Sequence, residues 1–286
     1  MITIAMPVFN GGHLLRIALD SILLQTFQDW ELLLIDDGST DGAVNALPAD
    51  LDPRIRVFSD GRNLGLASRL NQAIDLARGR YFARMDHDDV SHPERLAQQV
   101  AYLEANPRTD LLGTKCVAIS ENDRILGEFP FRSSHASICA RPWLGFYLPH
   151  PSWMGRTDWF REHRYAEPAP FRCEDQELLL RAHADSTYHG LDSSLLAYRL
   201  RDKVCLRTIL RTRLALAGTQ WRYFVTRKDW CGLTAASVVT ALRMAKDICL
   251  PGSTGVKSEV AGGVSESERR RWRDWLALLQ TSGISR

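Results

Sequence analysis

Over its first hundred residues the chain alternates short apolar runs with longer stretches whose apolar positions recur every three to four residues. Residues 2–8, 31–35, 55–58 and 81–85 are brief, rich in aliphatic and aromatic side chains, and read as strands. Residues 12–25, 65–77 and 93–105 carry the helical period, so β-α-β crossovers and a mostly parallel, doubly wound sheet follow. From residue 111 the pattern shortens. Residues 111–119 and 125–131 pair as a hairpin through Glu121-Asn122-Asp123 and extend the sheet in mixed fashion. A helical stretch near 136–146, a strand at 150–155 and a helix at 175–182 come next. Beyond residue 201 the chain reads as helices at 206–224 and 235–248, a Gly/Ser-rich linker near 251–267, and a last helix at 268–279 that the linker sets apart from the body.

A chain of 286 residues accommodates one α/β domain of roughly 200–250 residues and an appendage. The expected division is 1–204, split into halves at 1–110 and 111–204, followed by a helical, basic extension at 205–286. Charge supports that division. Residues 1–200 hold 20 Lys and Arg against 27 Asp and Glu, whereas residues 201–286 hold 16 against 7. An acidic body suits a site that gathers cations, and a basic tail suits an anionic partner or is simply a solvated helix face. The cysteines, at 116, 139, 173, 205, 231 and 249, form no CxxC pair, and the first strand begins at residue 2, so the reducing cytoplasm is the expected compartment. The uncharged run 230–242 is shorter than the ~20 residues a bilayer span requires, so any membrane association is expected to be peripheral.

In sheets of this kind ligands bind beyond the carboxyl ends of the strands. Here those ends are Phe9-Asn10, Asp36-Asp37-Gly38-Ser39 and Asp86-His87-Asp88-Asp89, two of them acidic. Clustered carboxylates repel one another and persist where a hard cation or a ligand hydroxyl stabilises them. The eight His and six Cys show no zinc-like spacing.

Taken in order, the segments IAMPVFNGG, SILLQTFQDWELLLIDDGSTDG, RNLGLASRLNQAIDLARGRYFARMDHDDVSHPERL, HPSWMGRTDWF and CEDQELLLRA resemble glycosyltransferase family 2 over residues 2 to about 200. The resemblance implies the GT-A fold, a mixed and mostly parallel sheet flanked by helices, and a metal-dependent, hexosyltransferase-like activity. A sugar would pass from a UDP- or dTDP-sugar to an acceptor hydroxyl, with inversion, in cell-surface polysaccharide or glycolipid synthesis. Asp86-His87-Asp88 stands where the family keeps its DxD motif, which implies Asp88 as a ligand of Mn²⁺ or Mg²⁺ and Asp86 as a second ligand or a ribose contact; Asp89 is expected in a supporting or capping role. A diphosphate leaving group gains negative charge as the glycosidic bond breaks, and a hard divalent cation neutralises it.

The same resemblance places Pro7, Phe9 and Asn10 of the first-strand loop on the donor side, where the Phe9 ring stacks on the base or else packs in the core. It implies that Asp37 accepts the imide N–H of uracil or thymine. Asn63 and Arg69 are implied beside the base and diphosphate, although Arg69 equally suits the surface of an amphipathic helix. Asp175, supported by Glu174, matches the general base for the acceptor hydroxyl and is also a good helix N-cap. His150 and Trp153 are implied on the acceptor side, with a structural histidine and a core tryptophan as the plain alternatives. One departure stands out: relatives read Tyr-Arg-x-His after the last strand, and here the run is Tyr198-Arg199-Leu200-Arg201. Arg cannot ligate a metal, so Arg201 is expected to neutralise the leaving diphosphate instead. The basic helices 207–228 and the run Arg269-Arg270-Arg271-Trp272-Arg273, with Trp275, suit an anionic leaflet or an oligomer contact. A non-catalytic nucleotide-sugar-binding protein on this fold is the alternative, and a nucleotidyltransferase is disfavoured by the absence of a basic residue before Arg16 in the first loop.

Overall fold

The computed structural model describes residues 1–48, 50–200, 205–249, 260 and 262–282. The first half runs β1 (Ile2–Val8), α1 (Leu14–Leu23), β2 (Trp30–Asp36), β3 (Ile55–Ser59), α2 (Leu66–Leu76), β4 (Tyr81–Arg84), β5 (Val90–Ser91) and α3 (Arg95–Ala105). Next come β6 (Leu111–Ile119), β7 (Ile125–Glu128), α4 (His135–Ile138), a 3-10 turn (His150–Ser152), β8 (Met154–Arg156), α5 (Thr157–Glu162), α6 (Glu174–Ala182) and β9 (Tyr188–Arg199). The chain closes with α7 (Leu206–Thr226), α8 (Trp230–Cys249) and α9 (Glu266–Ser282).

The sheet order is β3-β2-β1-β4-β8-β6-β9-β5, with β7 paired to β6. β1 runs parallel to β2 and β4, and β2 parallel to β3; the rest of the sheet mixes parallel and antiparallel pairs. Side-chain alternation divides the core between the two faces. Ile4 and Met6 of β1 and Leu32 and Leu34 of β2 pack with Leu15, Leu19, Leu96 and Leu103 from α1 and α3. Ala5, Leu33 and Ile35 instead meet Leu70, Ala73 and Ile74 of α2 together with Leu178 and Leu179 of α6. Parallel register then places function. Val8 lies opposite Asp36, and Ala5 opposite Arg84, so the loops after β1, β2 and β4 emerge at one edge.

Three expectations about elements change. The helix at 136–146 is the single turn α4, because Pro142 and Gly145 cannot continue it. The strand expected at 150–155 opens as the 3-10 turn, since Pro149 and Pro151 have no N–H to give a ladder, and only Met154–Arg156 pairs. The last helix is not set apart. Trp272 is fully buried, and with Leu276 and Leu279 it packs on Val90, Val117, Ile119 and Ala197; Trp275 Nε1 donates to the Ser91 carbonyl at 3.0 Å. Most of the expected linker, residues 251–259 and 261, lies outside the described residues. Among the described residues no helix is long and apolar enough to cross a membrane.

Candidate active site

A cleft of about 1070 Å³ opens along the edge where the first-half loops emerge. Asp86, His87 and Asp88 line it from the loop after β4, His150 from the 3-10 turn, and Glu174 and Asp175 from the start of α6. Arg84, Tyr198, Arg199 and Arg213 also line it. The two acidic pairs that the sequence separates by almost ninety residues therefore share one cavity.

Backbone clamps hold the acidic loop after β4. Asp89 is buried and accepts the Arg199 N–H at 2.8 Å, while the Arg199 side chain donates to the Asp88 carbonyl at 2.8 Å and pairs with Asp123 at 2.7 Å. Asp89 is thus a strut to β9 and caps no helix, since α3 begins only after Glu94. Its second carboxylate oxygen is buried without a partner. Burial, then the charges of Asp86 and Asp88, push its pKa well above the usual carboxylate range. Arg84, 3% exposed, pairs with Asp86, and its Nε and second terminal nitrogen have no hydrogen-bond partner. The His87 ring lies 3.3 Å from the Pro7 carbonyl, which ties the loops after β1 and β4 together.

Residues with hard oxygen donors are in place for a divalent cation. Asp86 is 22% exposed, Asp88 is half-buried, and an unpartnered Asp89 oxygen stands behind them. Among the described residues no three Asp, Glu, His or Cys side chains converge to hold a metal by themselves. A cation bound at Asp86 and Asp88 would draw its remaining oxygens from ligand and water.

In the same cleft, Glu174 and Asp175 open α6 with two carboxylates at its N-terminus. Burial and the Asp175 charge raise Glu174 to about 7, and burial raises Asp175 as well. Gln176 Nε2 donates to Asp175 at 3.2 Å. His150 Nδ1 sits 3.8 Å from Glu174, beyond hydrogen-bond range, and its Nε2 lies 2.8 Å from the Tyr165 hydroxyl. Burial first, and the Arg84 charge second, hold the His150 pKa well below the usual histidine range.

The remaining expected site residues divide. Phe9 is 47% exposed, so its ring is not in the core, and Asn10, with φ 52°, accepts the Thr40 N–H while Pro7 is buried in β1. Asp37 is nearly buried: one oxygen accepts Leu64 N–H at 2.7 Å and Arg69 Nε at 2.9 Å, and the other accepts Gly65 N–H at 3.0 Å. Asn63 donates to the Asp37 carbonyl at 3.0 Å. Gly38, at φ +77°, passes so close to the next loop that a Cβ would stand 2.9 Å from the Arg62 carbonyl carbon, so the close approach is to backbone.

Arg69 is not a surface residue. At 1% exposure it spends its five N–H groups on Asp37, on Asp60 twice, on Gln72 and on the Arg62 carbonyl, leaving none for a phosphate. Trp153 is fully buried, donates to the Leu148 carbonyl and lies edge-on to His150, so no sugar can stack on it. Arg201 lies outside the described residues. Sequence reasoning missed Arg84 and Arg199. The available signal was an arginine placed in a buried strand directly ahead of an acidic loop, and a second in the Tyr198-Arg199 pair.

Comparison with known proteins agrees with this arrangement. The chain is 28% identical over 239 residues to the uncharacterized glycosyltransferase MJ1057 of Methanocaldococcus jannaschii, covering 81% of this chain and 82% of that one. It is 31% identical over 129 residues to the Escherichia coli UDP-Glc:alpha-D-GlcNAc-diphosphoundecaprenol beta-1,3-glucosyltransferase WfgD, covering 45% and 50%. Some matches are partial: the 39% identity to the bifunctional glycosyltransferase pgtA of Dictyostelium discoideum spans only 16% of that protein. In structure it resembles S. aureus TarS 1-349 in complex with UDP, with a TM-score of 0.62 at 17% identity over 99% of this chain and 82% of that one. It likewise resembles mannosyltransferase PcManGT of Pyrobaculum calidifontis in complex with GDP-Man and Mn2+, with a TM-score of 0.59 at 15% identity over 99% and 86%. These likenesses give the GT-A fold, and since the Glycosyl transferase family 2 model matches residues 3–164, more than half of the chain, the protein belongs to glycosyltransferase family 2.

Proposed function

We propose that the protein transfers a sugar from a nucleoside diphosphate donor, a UDP- or dTDP-sugar, to a hydroxyl of a glycan or lipid-linked acceptor, with Mn²⁺ or Mg²⁺ at Asp86 and Asp88. The observation that carries this reading is the shared cleft, lined both by the acidic pair Asp86 and Asp88, suited to a cation, and by a second acidic pair of raised pKa, Glu174 and Asp175. A bound cation supplies charge neutralisation of the diphosphate as it leaves. Asp37 keeps an oxygen that carries a single hydrogen bond, room for a base imide N–H, and the exposed Phe9 offers an apolar face to the base. The UDP seen with TarS and the UDP-Glc named for the Escherichia coli relative favour a uracil donor.

Asp175, with Glu174 beside it, takes the proton of the attacking hydroxyl. Burial raises the pKa of Asp175, and a carboxylate of raised pKa is a stronger base than an ordinary one. In-line attack by that hydroxyl, opposite the departing diphosphate, inverts the anomeric carbon. In this arrangement residues 1–110 form the nucleotide half and 111–204 the acceptor half, with the protein at the cytoplasmic face of a membrane that carries its acceptor.

The decisive assay measures Mn²⁺-dependent release of nucleoside diphosphate from UDP-sugars alongside nucleotide affinity. Asp175→Asn is expected to lower turnover by about 100-fold or more while UDP binding changes less than about threefold. Unchanged turnover removes Asp175 from the role of base. If wild-type protein binds UDP-sugars and turns none over with any acceptor class, the non-catalytic reading holds instead.

A further inference from the structure

With Trp272 and Trp275 of α9 packed against the sheet, the exposed tryptophans of the C-terminal part, Trp221 and Trp230, lie on the α7–α8 hairpin. On α7 the exposed positions Arg207, Arg211, Leu214, Trp221, Arg222 and Val225 fall at three-, four- and seven-residue intervals and form one face. Leu214 is 54% exposed and Val225 49%. On α8 the exposed apolar residues are Trp230, Val238, Leu242 and Ile248, with Leu242 at 66%. The opposite sides of both helices are committed: Phe224 packs on Gly232, Arg213 pairs with Asp247 at 3.0 Å, and Arg243 donates to the Leu144 carbonyl.

Residues 205–249 hold eight Arg and Lys against two Asp and Glu. Asp247 pairs with Arg213, and among the described residues no carboxylate pairs with Arg207, Arg211, Arg222 or Arg227. We propose that the outward faces of α7 and α8 seat the protein on an anionic lipid surface, with Leu214, Trp221, Val225, Trp230, Val238 and Leu242 entering the interface and the arginines meeting lipid phosphates. Charge decides the occupant. A second copy docked face to face would set arginine against arginine, whereas an anionic leaflet attracts the hairpin and repels the acidic body, which fixes the orientation.

Thr208, Ile209, Thr212 and Arg213 of α7 also line the active-site cleft, and Arg211 stacks 4.0 Å over Phe171 at its rim. A hairpin held in the headgroup layer therefore presents the mouth of the cleft to the membrane, where an acceptor carried on a lipid would enter. The surface stands independently of the reaction; only this use of it rests on the proposed transfer.

Vesicle flotation of the full chain, with no nucleotide or acceptor present, tests it. Protein is expected to float with phosphatidylcholine vesicles containing about 30% phosphatidylglycerol and to bind at least about tenfold less to pure phosphatidylcholine or in ~0.5 M salt. Trp221→Ser with Val225→Ser, and separately Arg207→Gln with Arg222→Gln and Arg227→Gln, are each expected to lose flotation by about tenfold while melting temperature and UDP affinity stay those of the wild type. Equal recovery with both vesicle types, or variants that float as the wild type does, overturns the proposal. So does a dimer in light scattering that the Trp221→Ser, Val225→Ser variant abolishes. Because flotation needs no turnover, a protein that floats but transfers nothing refutes the proposed function alone.

Discussion

Glu174 shows how a single side chain can carry a cost that serves a site. Burial raises it from an ordinary value of 4.5 to about 7, so folding favours its protonated form. The stability this gives is complete below pH 4.5 and is lost as pH rises through 7, because the folded protein must then ionise a buried carboxyl. Glu174→Gln removes the ionisation without removing the volume. It is therefore expected to exceed the wild type in urea-unfolding stability at pH 8 by up to about 3 kcal/mol and to match it near pH 4.5. A difference that does not change with pH would mean that Glu174 is not held in the protonated form by the fold. None of this was legible in Cys173-Glu174-Asp175, where motif and spacing pointed to the acidic pair and not to its burial. The burial of Arg69 and Trp153 was hidden for the same reason. A guanidinium encircled by Asp37 and Asp60, and an indole turned inward under His150, have the composition of ligand contacts and the surroundings of core.

At the scale of elements, strands and helices of the first half followed from period alone, because both faces of the sheet bury alternating side chains against amphipathic helices. Elements that depend on a distant partner were harder to place. The turn at His150–Ser152 is fixed by prolines and by Gln99 Nε2, which donates to the Ser152 carbonyl at 2.8 Å across more than fifty residues. α9 looked like a free basic helix because its buried stripe is narrow, yet Trp272, Leu276 and Leu279 close the sheet over β5 and β9, beside the strut from Arg199 to Asp89. Trp272→Ala is expected to cost about 3–5 kcal/mol. Faster hydrogen exchange should then appear at Val90, Ser91, Leu196 and Ala197, the residues that pair β5 with β9. If exchange quickens only within α9, the helix is an attachment with no part in holding the acidic loop.

At the scale of the whole molecule, the chain separates its charge, acidic around the cleft and basic in the hairpin, and that separation constrains how the site is completed. Asp86, Asp88, Asp89, Glu174 and Asp175 lie in or beside one cavity, with Arg84 and Arg199 as its buried cations. A divalent ion relieves this repulsion, but two side-chain carboxylates leave most of its coordination to be filled, and a diphosphate is what brings further oxygens. Binding of ion and nucleotide should consequently be coupled, each strengthening the other by the same factor. Thermal unfolding gives the measure: a ligand at about 100 times its dissociation constant adds about 2.7 kcal/mol, a rise of roughly 5–10 °C for a chain of this size. That rise is expected with UDP and Mn²⁺ together, with Mn²⁺ alone or UDP alone giving less than half of it, and it is expected to vanish in Asp88→Asn. A full shift from Mn²⁺ alone would place a complete metal site within the protein itself, and a full shift from UDP alone would mean that the arginines around the cleft hold the diphosphate unaided.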